Sequence, residues 1–303
     1  MVLESIFGSA QVMRKPYLML FLGIVLSWTS TMVVHIFFND AGLLAIAFIT
    51  IAVMPVIHNV FVQEESEEAR VPILSERFLE RNIQLIAIYT FFTLGVIIGY
   101  ASMYILLPSD RFMVCASDVC VPIAGKAQAF AEQERTLSYI AQISQGLGKI
   151  LDIDSSRIGD FFYWFSIILV NNLSVLVAAV IFSFIFGAGA IFLISWNASV
   201  VGTWVGKTLL ASDHFKFFGL LPHGIPEFVG YFLGAIAGGL ISIAVTKRRH
   251  FTHEIERIAA DSAILLAAAV ISLIFGAAIE AGSKAGMNMF ALSLSMVYMI
   301  ALV

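Results

Sequence analysis

Five polar side chains stand inside runs of Phe, Ile, Leu and Val: Asn171, Asn172, Asn197, His223 and Glu227. Hydrocarbon rejects such groups, so they either bond between helices or line a path for something polar. His223 and Glu227 lie four residues apart in Pro222-His223-Gly224-Ile225-Pro226-Glu227. As a pair they could carry protons, hold an ion or contact a substrate. The plainer reading makes Glu227 an acid in a first helical turn, favoured by the helix dipole, with His223 in an interfacial loop. For the asparagines the plain reading is inter-helical amide bonding, worth about 0.6–2 kcal/mol each. Two ligands fall short of the three protein ligands of a catalytic zinc site. The sequence also has no H-E-x-x-H, G-x-S-x-G or P-loop pattern. No catalytic set, metal or cofactor is therefore expected.

The elements that must position these groups are membrane helices. The 303 residues are 60% hydrophobic and 13% charged, against about 45–50% and about 25% in soluble domains. A net charge of −4 without a basic stripe argues against nucleic acid. The expected class is all-α: a polytopic helical bundle of about eight spans, with residues 1–303 as a single transmembrane domain. The spans are expected over 17–38, 41–62, 83–107, 161–186, 190–210, 226–245, 258–279 and 287–303. Residues 108–158 form an amphipathic insert, with Ile140, Ile143, Leu147 and Ile150 spaced for one helical face. Two prolines and a glycine at 222–226 break helices, so a re-entrant or broken segment is expected before the sixth span. On this reading Asn171, Asn172 and Asn197 fall near mid-bilayer. Counting back from Lys247 puts Glu227 near the outer face.

Lys and Arg crowd the span ends on one side, at Arg14, Lys15, Arg77, Arg81 and the run Lys247-Arg248-Arg249. A multi-pass protein of the cell membrane with both termini cytoplasmic follows, and the insert is then extracytoplasmic. No cleavable signal is expected at the N-terminus. Cys115 and Cys120, in the insert, would there be free to form a disulfide or remain two thiols. His35, His58, Asn59, Asp261 and Glu280 fall near span ends and read as interfacial. Gly230, Gly234 and Gly238 recur every four residues, as do Gly202 and Gly206. Such stripes let helix backbones approach closely in lipid.

The order Asn171-Asn172, Gly187-x-Gly189, Asn197, Gly202-x-x-x-Gly206, Pro222-His223-Gly224-x-x-Glu227 and Gly238 resembles the stage II sporulation protein M family. The resemblance covers about 160–246. It implies a multi-span helical membrane protein, whose namesake takes part in septal cell-wall remodelling in endospore formers. It also tilts the P-H-G-I-P-E segment toward being a site. Three functions remain open. The first is a membrane scaffold or complex subunit, forming a homo-oligomer or docking other membrane proteins through its glycine faces. The second is a transporter or channel with Asn171, Asn172, Asn197, His223 and Glu227 around a polar cavity. The third is an intramembrane metal-dependent hydrolase.

Overall fold

The structure, a computed structural model, describes residues 8–38, 41–68, 76–116, 119–150, 157–186, 190–212, 214–246 and 253–287. These residues form helices α1 (Ser9–Arg14), α2 (Leu18–Phe37), α3 (Gly42–Glu68) and α4 (Glu76–Leu106), then hairpin strands β1 (Phe112–Ala116) and β2 (Val119–Ile123). There follow α5 (Lys126–Ala129), α6 (Ala131–Ile150), α7 (Arg157–Phe186), α8 (Ala190–Leu210), α9 (His214–Thr246) and α10 (His253–Lys284). Among the described residues six helices are long and apolar enough to cross a membrane: Leu18–Phe37, Gly42–Val62, Asn82–Leu106, Ile158–Phe186, Gly219–Ser242 and Ile258–Lys284. The chain is thus a helical membrane protein whose apolar faces meet lipid.

Two of the eight expected spans are not among these six. The expected span at 287–303 lies outside the described residues but for Met287. The fifth forms a helix as expected, α8, but Ser195, Asn197, Ser199, Thr203 and Lys207 dilute its apolar content. Lipid solvates such a helix poorly, and α8 is instead packed inside the protein, with Ser195, Ser199 and Thr203 fully buried. Two of its hydroxyls bond to its own turns: Thr203 Oγ1 donates to the Ser199 carbonyl and Thr208 Oγ1 to that of Trp204, each at 2.8 Å.

The helices sort into two bundles. In one, α2 and α8 both pack on α4, with α3 against α2 and α8. In the other, α7, α9 and α10 pack mutually. Contact between the bundles is sparser, and includes the stacked rings of Tyr89 on α4 and Phe232 on α9, 5.6 Å apart. In the first bundle Gly23 and Gly95 let α2 and α4 touch backbone to backbone. A Cβ on Gly23 would lie 2.7 Å from the Phe92 carbonyl oxygen. Gly99 adds to this seam, where a Cβ would meet Ser27 Cβ at 2.7 Å.

The expected break before the sixth span is absent. Helix α9 runs unbroken through Pro222 and Pro226. Two prolines four residues apart lie on one helical face and each removes one ladder bond. Neighbouring helices and side chains can compensate for such losses in a membrane helix. Here Ser272 Oγ of α10 donates to the Pro226 carbonyl at 2.7 Å, tying the proline turn to its neighbour.

The insert at 108–158 contains the expected helix α6, but also the β-hairpin, which the helical periodicity did not foresee. Cys115 and Cys120 face each other across its two strands and are joined by a disulfide. The insert is moored to the bundle by the first turn of α6. Glu134 accepts from Lys207 Nζ at 2.6 Å and from Tyr104 Oη at 2.7 Å. The buried Gln133 donates from Nε2 to Ser199 Oγ at 3.2 Å. Burial pushes the Glu134 carboxyl up, but the Lys207 ammonium and the Tyr104 hydroxyl outweigh it and hold it below its ordinary value. His35 and Asp261, near the ends of their spans as expected, are buried within the protein, at 2% and 3% exposure. His35 Nδ1 lies 2.9 Å from the Thr31 carbonyl one turn back, a local bond that permits burial.

Candidate functional site

Asn172 is the central residue of the span Ile158–Phe186 and is buried. Its Nδ2 donates to Glu227 Oε1 at 2.8 Å. Its Oδ1 accepts from Tyr231 Oη at 3.0 Å and from Asn171 Nδ2 at 3.3 Å. The arrangement joins α7 to two successive turns of α9, because Glu227 and Tyr231 are four residues apart and share a face.

This geometry corrects the depth expected for Glu227. The helix begins at His214 rather than after Pro226, so three turns precede the acid. Glu227 falls within about 5 Å of the middle of the span Gly219–Ser242, at the level of Asn172. It is not a first-turn acid. Among the described residues it has no salt-bridge partner.

Helix α10 closes the third side. Gly276 sits against the proline turn, where an added Cβ would lie 2.9 Å from Glu227 Cγ and 3.1 Å from the His223 carbonyl oxygen. Toward the end of α10, Glu280 lies within electrostatic reach of both His223 and Glu227. Lys284 Nζ is 3.5 Å from Glu280 Oε1 and 5.0 Å above the Trp164 ring. Polar groups therefore run from the end of α10 to mid-span: Lys284, Glu280, His223, Glu227 and Asn172.

Asn197 does not join them. Its Nδ2 donates to the Leu193 carbonyl of its own helix at 2.8 Å. The expected five-residue cavity is thus not assembled. Asn171, Asn172 and Glu227 are linked directly, His223 stands one turn away, and Asn197 bonds back to its own helix α8.

Beyond Glu227 lies a cavity of about 600 Å³ between α4, α8 and α9, in the gap between the two bundles. Ile97, Val205, Phe228 and Phe232 contribute to its apolar wall, and among the described residues Glu227 is the one charged residue lining it. Leu94, Ile98 and Ile225, which also line it, are exposed on the outer surface. The cavity is therefore a groove open toward lipid.

The glycine stripes are taken up within the chain. On α9, Gly230 packs against Leu273 and Ala269 of α10, while Gly234 meets Leu176 and Gly238 meets Val180 and Ser183 of α7. The stripe thus serves two neighbours. On α8, Gly202 and Gly206 sit against Ile97, Tyr100, Ala101 and Tyr104 of α4.

Tyr231, Ser272, Glu280 and Lys284 were not foreseen as members of the site. Tyr231 one turn after Glu227 and the Glu280–Lys284 spacing of four were the available signals. The third ligand that a metal-dependent hydrolase needs is not supplied here: among the described residues no three His, Cys, Asp or Glu side chains converge.

A model of the family described as stage II sporulation protein M matches residues 87–282. The match takes in most of α4 through nearly all of α10, and so the second bundle, the groove and the Asn172–Glu227 contact, but not α2 and α3 of the first bundle. No curated protein and no solved structure matches the chain. With about two thirds of its length matched, the chain belongs to the stage II sporulation protein M family.

Proposed function

We propose that this membrane protein is a transporter in which Glu227 binds a proton or a cation at mid-membrane. One observation carries the reading: a carboxyl at the centre of a span, held by an uncharged amide, without a cationic partner among the described residues, on the wall of a groove. An ionisable group in that position is costly and is typically retained for function. The string from Lys284 to Glu227 supplies polar access from one membrane face. The tight contacts of Gly234 and Gly238 seal the other half. The test is flux through the full chain reconstituted in liposomes under an imposed proton or cation gradient. Flux that Glu227→Gln abolishes is expected. Absence of flux, or flux unchanged by the substitution, overturns the reading.

The sidedness we propose puts both termini in the cytoplasm and the hairpin outside. The basic residues near the span ends and the disulfide, which persists in oxidising compartments, support it.

A second reading, a scaffold or complex subunit acting as a homo-oligomer, rests on Asn171. This amide is exposed near the middle of α7, whose span is the least buried of the six, at 17%. An amide facing hydrocarbon is relieved by a partner helix, and two copies of Asn171 could bond to each other across a two-fold axis. Cysteine cross-linking between copies at Val170 tests it, and the absence of cross-linked dimers in native membranes rules it out.

A further inference from the structure

The groove between α4, α8 and α9 joins three properties that together define a ligand class. It opens sideways to lipid within the spans, its walls are apolar and aromatic, and its one charged group among the described residues is an acid. We propose that the groove binds a lipophilic organic cation, with Glu227 as its counter-charge and Phe228 and Phe232 against its apolar body. This rests on the reading of Glu227 as the transported-ion site and names the substrate class of that same site.

The competing occupants fit less well. A lipid acyl chain would fill the apolar space but leave the acid unanswered. A hydrated inorganic cation would answer the acid, yet hard cations require about six oxygen ligands. Among the described residues Thr90, Thr93 and Ser102 are the only hydroxyl side chains on the wall. Two of them already donate to backbone, Thr90 to Ile86 and Ser102 to Gly99. A cation that is large, weakly hydrated and carried on an apolar frame needs no such cage. It enters from the bilayer, and aromatic faces favour its charge. Its size suits the groove, since sites for drug-sized ligands span about 300–1,000 Å³.

Asn172 is an uncharged partner of Glu227 Oε1, so the charge of the carboxylate is left for the ligand to answer.

The experiment is equilibrium binding of radiolabelled tetraphenylphosphonium to the full chain purified in detergent. Saturable binding is expected, weakened roughly thirtyfold or more by Glu227→Gln, as when one partner of a buried charge pair is removed. Gly224→Leu provides a second arm. A Cβ there meets only Leu220 at 3.6 Å, so the variant folds while its side chain occupies the groove, and it should abolish binding. Tetraphenylborate, of like shape and opposite charge, should not displace the probe. No saturable binding, binding indifferent to both substitutions, or equal displacement by tetraphenylborate overturns the proposal. Glu227-dependent proton flux without tetraphenylphosphonium binding removes this inference and leaves the transport reading standing. Glu227-dependent binding without flux of any ion does the reverse.

Discussion

Asn172 holds the Glu227 carboxyl from the neighbouring helix at 2.8 Å while receiving the Tyr231 hydroxyl on its other amide atom. One side chain thus satisfies two polar groups of α9 at the centre of the membrane. An amide suits this task because it donates and accepts at once. Neither Ser nor Asp would serve both neighbours without leaving a buried group unmatched or adding a second acid.

Replacing Asn172 with Leu should therefore cost about 1–3 kcal/mol for each buried group left unsatisfied. Asn197→Leu should be neutral or mildly stabilising, since that amide only bonds back to its own helix. Thermal unfolding of the two variants in detergent checks the contrast. Equal effects would mean that Asn172 is not the junction.

The glycine contacts differ in what lies opposite them. At Gly206 an added side chain meets Tyr104 Cβ at 2.7 Å and the Ala101 carbonyl at 2.9 Å. Gly206→Leu should destabilise by about 1–3 kcal/mol through overpacking. Gly219 has nothing within 4 Å, so Gly219→Ala should stabilise α9 by up to about 1 kcal/mol. Denaturation midpoints measured side by side decide the matter.

The Glu134 clamp predicts an acid-sensitive insert. Its carboxyl is held below its ordinary value when folded, so the stabilisation is complete above the unfolded value and lost as pH falls through the folded one. Lys207 is half exposed, which limits the contribution to about 0.2–1 kcal/mol. Limited proteolysis of α6 should accelerate on acidification in wild type. In Glu134→Gln it should be faster at neutral pH and flat across the same range.

The hairpin disulfide closes a short loop between two strands and joins no helix to another. Reduction should leave the thermal transition of the helices unchanged within about 0.5 kcal/mol. It should also expose both thiols to a membrane-impermeant maleimide added outside intact cells. Labelling only after membrane disruption would reverse the proposed sidedness.

Much of the membrane architecture was legible because long apolar runs admit few alternatives. The limits of α2 and α7 fall close to those expected, and the span within α4, Asn82–Leu106, does too. Proline chemistry misled at 222–226, because neighbouring helices support a continuous α9 there as they could not in water. Moving the helix start back to His214 carried Glu227 from the outer face to mid-span. The Gly23, Gly95 and Gly99 seam was missed because its glycines are split between two helices distant in sequence. Asn197 could not be told from Asn172 by depth or type. What separates them is whether an acceptor on another helix comes within reach, and only the packing decides that.

The gap between the bundles has a mechanical consequence. At Gly23, Gly95 and Gly206 one helix backbone seats closely on its neighbour, whereas α4, α8 and α9 are parted by a groove of about 600 Å³. Close-packed interiors resist deformation and voids do not. The seam between the bundles is held by fewer contacts than either bundle's own helix pairs, and a change of lateral tension in the bilayer would therefore act on it first. Glu227, on the wall of the groove and bonded to α7, stands beside that seam.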